Sequence, residues 1–163
     1  MTLHDQARRT LEKISNAALA TVSPDGHPWN SPLFVATDVN LNFYWSSHND
    51  AVHSRNIAFN PDVFLVLFDS TANDGTGHAV YVRAKACELL DEASVTAALD
   101  CLAKRKNEPP KAAAEFLGAH PRRLYQAVPE EMWTNVVKQE DEHYFDERVV
   151  IDLKPKEMPF GGE

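Results

Sequence analysis

The sequence predicts a mostly β protein with peripheral α-helices, built on an antiparallel sheet that closes on itself. Three observations carry this expectation. Short apolar or alternating runs follow one another across tight turns, as consecutive hairpins do. Helical spacing is confined to a few segments. Those segments do not alternate with the strands in the βαβ order that a parallel sheet needs. The chain has 163 residues, the size of one ordinary domain, and no internal repeat or linker divides it. A single domain over residues 1–163 is expected, its tail loosely ordered from about residue 154 (KPKEMPFGGE).

The elements follow in order. Leu3, Ala7, Leu11 and Ile14 recur at helical spacing and predict an amphipathic helix over 3–15. Ala18 to Val22 is a short apolar strand, closed by the turn Ser23-Pro24-Asp25-Gly26. A second strand runs from about Trp29 to Ala36, with Pro28 and Pro32 marking it as an edge or a bulge. Asn42 to Ser47 is a third, rich in aromatics. Asp50 is the candidate N-cap of a helix over 51–59, which Asn60-Pro61 ends. Val63 to Phe68 is continuously apolar and reads as a strand buried on both faces. Ala79 to Leu90 is a longer strand, and Ser94 to Lys106 a helix with Val95, Ala98, Leu99 and Leu102 on one side. A short helix to Phe116 follows Pro109-Pro110. Leu124 to Val128 and Met132 to Val137 read as two strands separated by Pro129, and Val149 to Leu153 as the last.

Composition narrows the function. The formal net charge is −8, which argues against a nucleic-acid surface, because phosphate backbones need a basic footprint. No run has the ~18 apolar residues of a membrane span, and the N-terminus lacks a signal-peptide pattern, so a cytoplasmic protein is expected. Cys87 and Cys101 match no metal or redox spacing and are expected to be small buried thiols. No metal site is expected, since the histidines show no ligand spacing. Glycine-rich phosphate loops and GxSxG are absent, which removes Rossmann, P-loop and α/β-hydrolase chemistry.

One stretch stands out: SSHNDAVHSRNI, Ser46 to Ile57. A short helix after a strand offers backbone N–H groups and a positive dipole end. Ser46, Ser47 and Ser54 add neutral donors, while His53 and Arg55 add charge. This combination suits a phosphate. The edge backbone around Asn30, Ser31 and Pro32 suits the polar rim of a flavin, and Trp133 could wall a flat ring. No side chain stands out as a catalytic acid or base.

Taken in order, LATVSPDGHPWNSPLFVATD, FYWSSHNDAVHSRNIAFNPDVFLVLFD, AVYVRAKACELL and RLYQAVPEEMW resemble the pyridoxamine 5′-phosphate oxidase-like family of flavin-binding (FMN-binding) split β-barrels, over roughly residues 15–137. The resemblance implies a homodimer with flavin mononucleotide (FMN) at the subunit interface and a small-molecule substrate. It places Asn30, Ser31 and Pro32 against the ring, and Ser46, Ser47, His53, Ser54 and Arg55 at the phosphate. Trp133 would close the site from the partner chain. It implies a flavin-dependent oxidoreductase. The family also contains deazaflavin (F420) reductases and haem-binding members, so these stand as alternative ligands. Two departures are visible: His53 stands where the family often has lysine, and Ser31 where it often has arginine. The RPxxSxxG-type segment of true pyridoxamine phosphate oxidases is missing from NEPPKAAAEFLGAHPRRLYQ, which argues against vitamin B6 oxidation.

Overall fold

A computed structural model describes residues 1–73, 76–140 and 143–153. The order is α1 (Leu3–Lys13), β1 (Asn16–Val22), β2 (Pro28–Phe34), β3 (Ala36–Thr37), β4 (Phe43–His48), α2 (Val52–Phe59), β5 (Asp62–Phe68), β6 (Ala79–Glu88), α3 (Glu92–Lys106), a 3-10 turn (Ala113–Phe116), β7 (Arg122–Glu140) and β8 (His143–Val150). The strands form one antiparallel sheet in the order β2-β1-β5-β6-β7-β4-β3, with β8 on β7. The expected tail beyond about residue 154 lies outside the described residues.

The order of strands explains the shape. β2 and β3 are the two opposite edges of the sheet, yet only Val35 separates them in the chain. A single residue cannot span seven strands at about 4.8 Å each. The sheet must therefore curl until its edges meet, leaving a split where they are not hydrogen-bonded. Val35 is buried at this corner, and its N–H donates to the Ser15 carbonyl at 2.7 Å.

Two apolar clusters fill the molecule. Alternate residues of the strands, among them Leu19, Leu65, Val82, Trp45 and Tyr125, point into the barrel, and Trp45 stacks on Tyr125 at 5.7 Å. Tyr44, Leu124 and Ala36 point the other way, under Val95, Ala98, Leu99 and Leu102 of α3 and under Phe116. α3 starts where Asp91 accepts from the Ser94 N–H at 2.9 Å and ends at Asn107, whose φ of 56° is the left-handed stop that asparagine tolerates.

The structure corrects several expectations. β5 is not buried on both faces: Val63, Leu65 and Leu67 face the core, but Phe64 and Val66 are half-buried and Phe68 is 50% exposed. Among the described residues no helix covers that outer side. The two strands expected around Pro129 are one strand, β7, because a bulge absorbs the proline: Ala84 pairs Pro129 and Arg83 pairs Glu131, so Glu130 is the extra residue. The last strand ends at Val150 rather than starting at Val149. Asp50 does not cap α2. Ala51 occupies the N-cap without a side-chain bond, and the Asp50 N–H instead donates to His48 Nδ1 at 3.1 Å. Cys87 is exposed on the outward phase of β6 and Cys101 is half-buried; both are free thiols. Among the described residues no helix is long and apolar enough to cross a membrane.

Candidate functional site

The stretch from Ser46 to Ile57 runs out of β4, through a turn, and into α2. Successive residues of β4 face opposite sides, so Ser47 joins Phe43 and Trp45 on the barrel side, while Ser46 joins Tyr44 on the α3 side. That split divides the predicted site into two parts.

The first part is a closed polar cluster. His53, Ser31, Ser47 and Ser54 are all buried. His53 Nδ1 lies 3.1 Å from Ser31 Oγ, and Nε2 lies 2.7 Å from Ser47 Oγ. Trp29 Nε1 donates to Ser31 Oγ at 3.1 Å. Trp29 donates to Ser31, and of the two imidazole nitrogens the one that carries the proton donates to its serine while the other accepts from its serine. Burial pushes the His53 pKa below its ordinary value, so the imidazole is neutral near pH 7. Ser54 Oγ donates to the His48 carbonyl at 2.9 Å, and Asn56 Nδ2 donates to Thr21 Oγ1 at 3.0 Å. Arg55 is exposed and its guanidinium donates to the Asp50 carbonyl. Of the predicted phosphate donors, Ser47 and His53 thus bond to each other, Ser54 and Arg55 bond to backbone carbonyls, and Ser46 lies on the opposite side of β4.

The second part is a cleft of about 330 Å³ at the split of the barrel. Pro32 and Ser46, both predicted site residues, line it together with residues of α3 and of the 3-10 turn. Its floor is apolar, including Phe34, Leu99, Leu102 and Phe116. Ser46 Oγ is buried without a hydrogen-bond partner among the described residues, as is Trp45 Nε1. Lys106, Lys111 and Arg122 line the same cleft. Sequence reasoning passed over these three. The signal was present in the basic runs AKRKNEPPK and HPRR, which stand out in an acidic chain.

Asn30 and Trp133 lie elsewhere. Asn30 is exposed and pairs Ala20 across β1. Trp133 stacks on Phe64 at 6.0 Å, with the Arg83 guanidinium 6.0 Å from its ring centre. Directly opposed residues share a face, and one row runs Pro32, Ala18, Val66, Tyr81, Trp133 across five strands. Trp133 therefore sits on the outer face, four strand spacings or about 19 Å along the curled sheet from Pro32 of its own chain.

An antiparallel sheet curled until its edges meet across one buried residue, with a ligand-sized cleft at the join, is a split β-barrel. The chain belongs to the pyridoxamine 5′-phosphate oxidase family, whose sequence pattern matches residues 3–160. Solved structures share the fold. The haem storage protein HutZ of Vibrio cholerae superposes with a TM-score of 0.69 at 18% identity, covering 81% of this chain and 94% of that one. A candidate pyridoxamine 5′-phosphate oxidase from Listeria innocua gives 0.60 at 18% identity, covering 80% and 96%. An F420 reductase gives 0.57 at 22% identity, covering 77% and 94%. No curated protein sequence matches the chain.

Proposed function

We propose that the protein is a homodimeric, FMN-binding flavoprotein acting as an oxidoreductase on a small molecule in the cytoplasm. The observation that carries the reading is the cleft. It lies at the barrel split of a chain from this family, against the edge strand and beside a buried, unpartnered serine hydroxyl. Its size and apolar floor suit a planar ring with a few polar fixings. When bound, the flavin would supply hydride or electron transfer. The chain would hold it by Pro32 of β2 and Ser46 within the cleft, with Asn30 and Ser31 next to Pro32 on the same edge strand. Ser47, His53, Ser54 and Arg55 frame the turn beside it, although their present hydrogen bonds are internal.

The outer face supports the dimer. Val66, Phe64, Tyr81 and Trp133 form a half-exposed apolar surface, with Val22 and Phe68 beside them more open still. A second copy covering this face would account for the continuous apolar run of β5, and it would bring the partner's Trp133 toward the cleft, whose lining within one chain does not include Trp133.

The test is a visible spectrum of the purified protein before and after incubation with FMN and desalting. A retained flavin band, one per chain, followed by oxidation of a reduced nicotinamide, is the expected result. A protein that retains no flavin refutes the reading. Deazaflavin F420 and haem are the other ligands for the same spectrum, since an F420 reductase and a haem storage protein share the fold. Haem binding would use an axial ligand. Both ring nitrogens of His53 are already engaged, whereas among the described residues His48 uses only Nδ1.

A further inference from the structure

The two margins of the split are joined by one covalent corner and by one side chain. At the corner, Val35 links β2 to β3. Beyond it no strand pairing connects β2 to β4, which lie five strand spacings apart, about 24 Å along the curled sheet. His53 crosses this gap. It stands on α2, and its ring meets Ser31 of β2 through Nδ1 and Ser47 of β4 through Nε2. Among the described residues this is the one side-chain hydrogen-bonded bridge between the two strands. The ring is buried and bonded at both nitrogens, so it has no free polar atom to offer a ligand. A neutral imidazole gives one hydrogen bond and takes one, which matches the two hydroxyls. The helix that carries it is anchored on either side: Asn56 Nδ2 donates to Thr21 of β1, and Ser54 Oγ donates to the His48 carbonyl at the end of β4.

The cleft lies on the reverse side of the same two margins. Side chains alternate along a strand, so Ser31 and Ser47 face the imidazole while their neighbours Pro32 and Ser46 line the cleft. Each end of the bridge is thus one residue away from a cleft wall. Neither wall has a stronger tie of its own. β2 is an edge strand that pairs only with β1, and the Ser46 hydroxyl makes no hydrogen bond among the described residues. We infer that His53 is a positioning residue: by tying Ser31 to Ser47 across the split it sets the width of the cleft on the opposite face, and with it the fit of a flat ligand between Pro32 and Ser46, without touching that ligand. The ring acts by its shape. Its two nitrogens are fixed in one rigid plane, so the bridge resists both widening and narrowing of the gap, and a wall held by packed, hydrogen-bonded neighbours keeps its geometry better than a free edge. The inference rests on the flavin reading only for the identity of what fills the cleft.

The experiment has two arms on the intact protein, in wild type, His53→Ala and His53→Gln. Glutamine keeps one donor and one acceptor on a planar amide, so it can restore the bridge. The first arm is amide hydrogen exchange without ligand, comparing β2 (Pro28–Phe34) with the central strand β6 (Ala79–Glu88). Exchange in β2 that rises about tenfold or more relative to β6 in His53→Ala, and returns toward wild type in His53→Gln, supports the inference. Ser47→Ala removes the 2.7 Å bond alone and should give the same local rise, which covers the case that the larger deletion unfolds. The second arm is calorimetric titration with FMN and riboflavin. Equal loss of affinity for both in His53→Ala, recovered in His53→Gln, supports the inference, because a change of width does not depend on the phosphate. No flavin binding in any of the proteins, with the exchange pattern intact, keeps the bridge and removes the flavin reading. Three results overturn the inference: β2 exchange unchanged in both His53→Ala and Ser47→Ala, a rise shared equally by β6, which would make the cluster a support of global stability only, or FMN affinity lost with riboflavin unchanged, which would make His53 a direct contact.

Discussion

Replacing His53 by alanine tests the closed cluster directly. The imidazole bridges two buried hydroxyls, Ser31 and Ser47, from opposite sides of its ring. Its removal takes a partner from each, at about 1 kcal/mol or more per lost bond, and leaves a cavity. Ser31 keeps its bond from Trp29 Nε1, which limits the loss on that side. The sum is a destabilisation of about 3 kcal/mol, or roughly 6–12 °C in melting temperature for a chain of this size. Urea unfolding of wild type, His53→Ala, Ser47→Ala and the double variant gives the cycle. A coupling above about 0.5 kcal/mol is expected, and additivity within about 0.3 kcal/mol would refute the 2.7 Å bond as an energetic contact. The pH dependence adds a sign. The folded pKa of His53 is lowered by burial, so the unfolded chain takes up a proton there that the folded chain refuses. The stabilisation is therefore complete above the unfolded pKa of about 6.5 and is lost as the pH falls through it toward the lower folded pKa. The gap between wild type and His53→Ala should narrow on acidification. A gap that widened would mean that the fold holds an imidazolium.

Three further outcomes are expected. Val66→Arg puts a charge in the middle of the apolar outer face and should turn a dimer into a monomer in sedimentation; a wild-type protein that is already monomeric would end the dimer proposal. Arg105→Gln should cost about 2 kcal/mol in urea unfolding, because three carbonyls at the end of α1 lose a charged donor; a cost near zero would show that α1 is held by its apolar side alone. Gly26→Ala should cost about 1 kcal/mol, since φ is +85° in the turn from β1 to β2; its Cβ would meet nothing within 4 Å, so the cost is conformational and the thermal midpoint should drop without loss of ligand binding.

The elements legible in the sequence were those with a local cause. α1 and α3 follow from spacing, the turn at Gly26 from its own residues, and the edge position of β2 from Pro28 and Pro32. What local reasoning missed depended on distant partners. Pro129 looks like a strand break until Arg83 and Ala84 lie opposite and the bulge takes up Glu130. Val63–Phe68 is apolar at every position, so periodicity could not separate the core side from the uncovered side. In the site, Ser31 was expected at the ring and Ser47 and His53 at the phosphate, whereas the fold brings the three into hydrogen-bond contact. Their hydrogen-bond directions were not readable, nor was the convergence of Lys106, Lys111 and Arg122 from three separate elements on one cleft.

The position of β7 has a consequence for synthesis. It is the strand that joins the β2-β1-β5-β6 half of the sheet to the β4-β3 half, and it begins only at Arg122. On the ribosome, the aromatic strand from Phe43 to His48 has then been made for more than seventy residues before its long-range partner emerges. Until that moment the nascent chain carries two sheet fragments with unpaired edges, and Trp45 lacks Tyr125, the ring it stacks on. The barrel cannot assemble progressively from the N-terminus. It closes late and in one step, so a ribosome stalled before Arg122 would hold an aggregation-prone fragment rather than a smaller version of the domain.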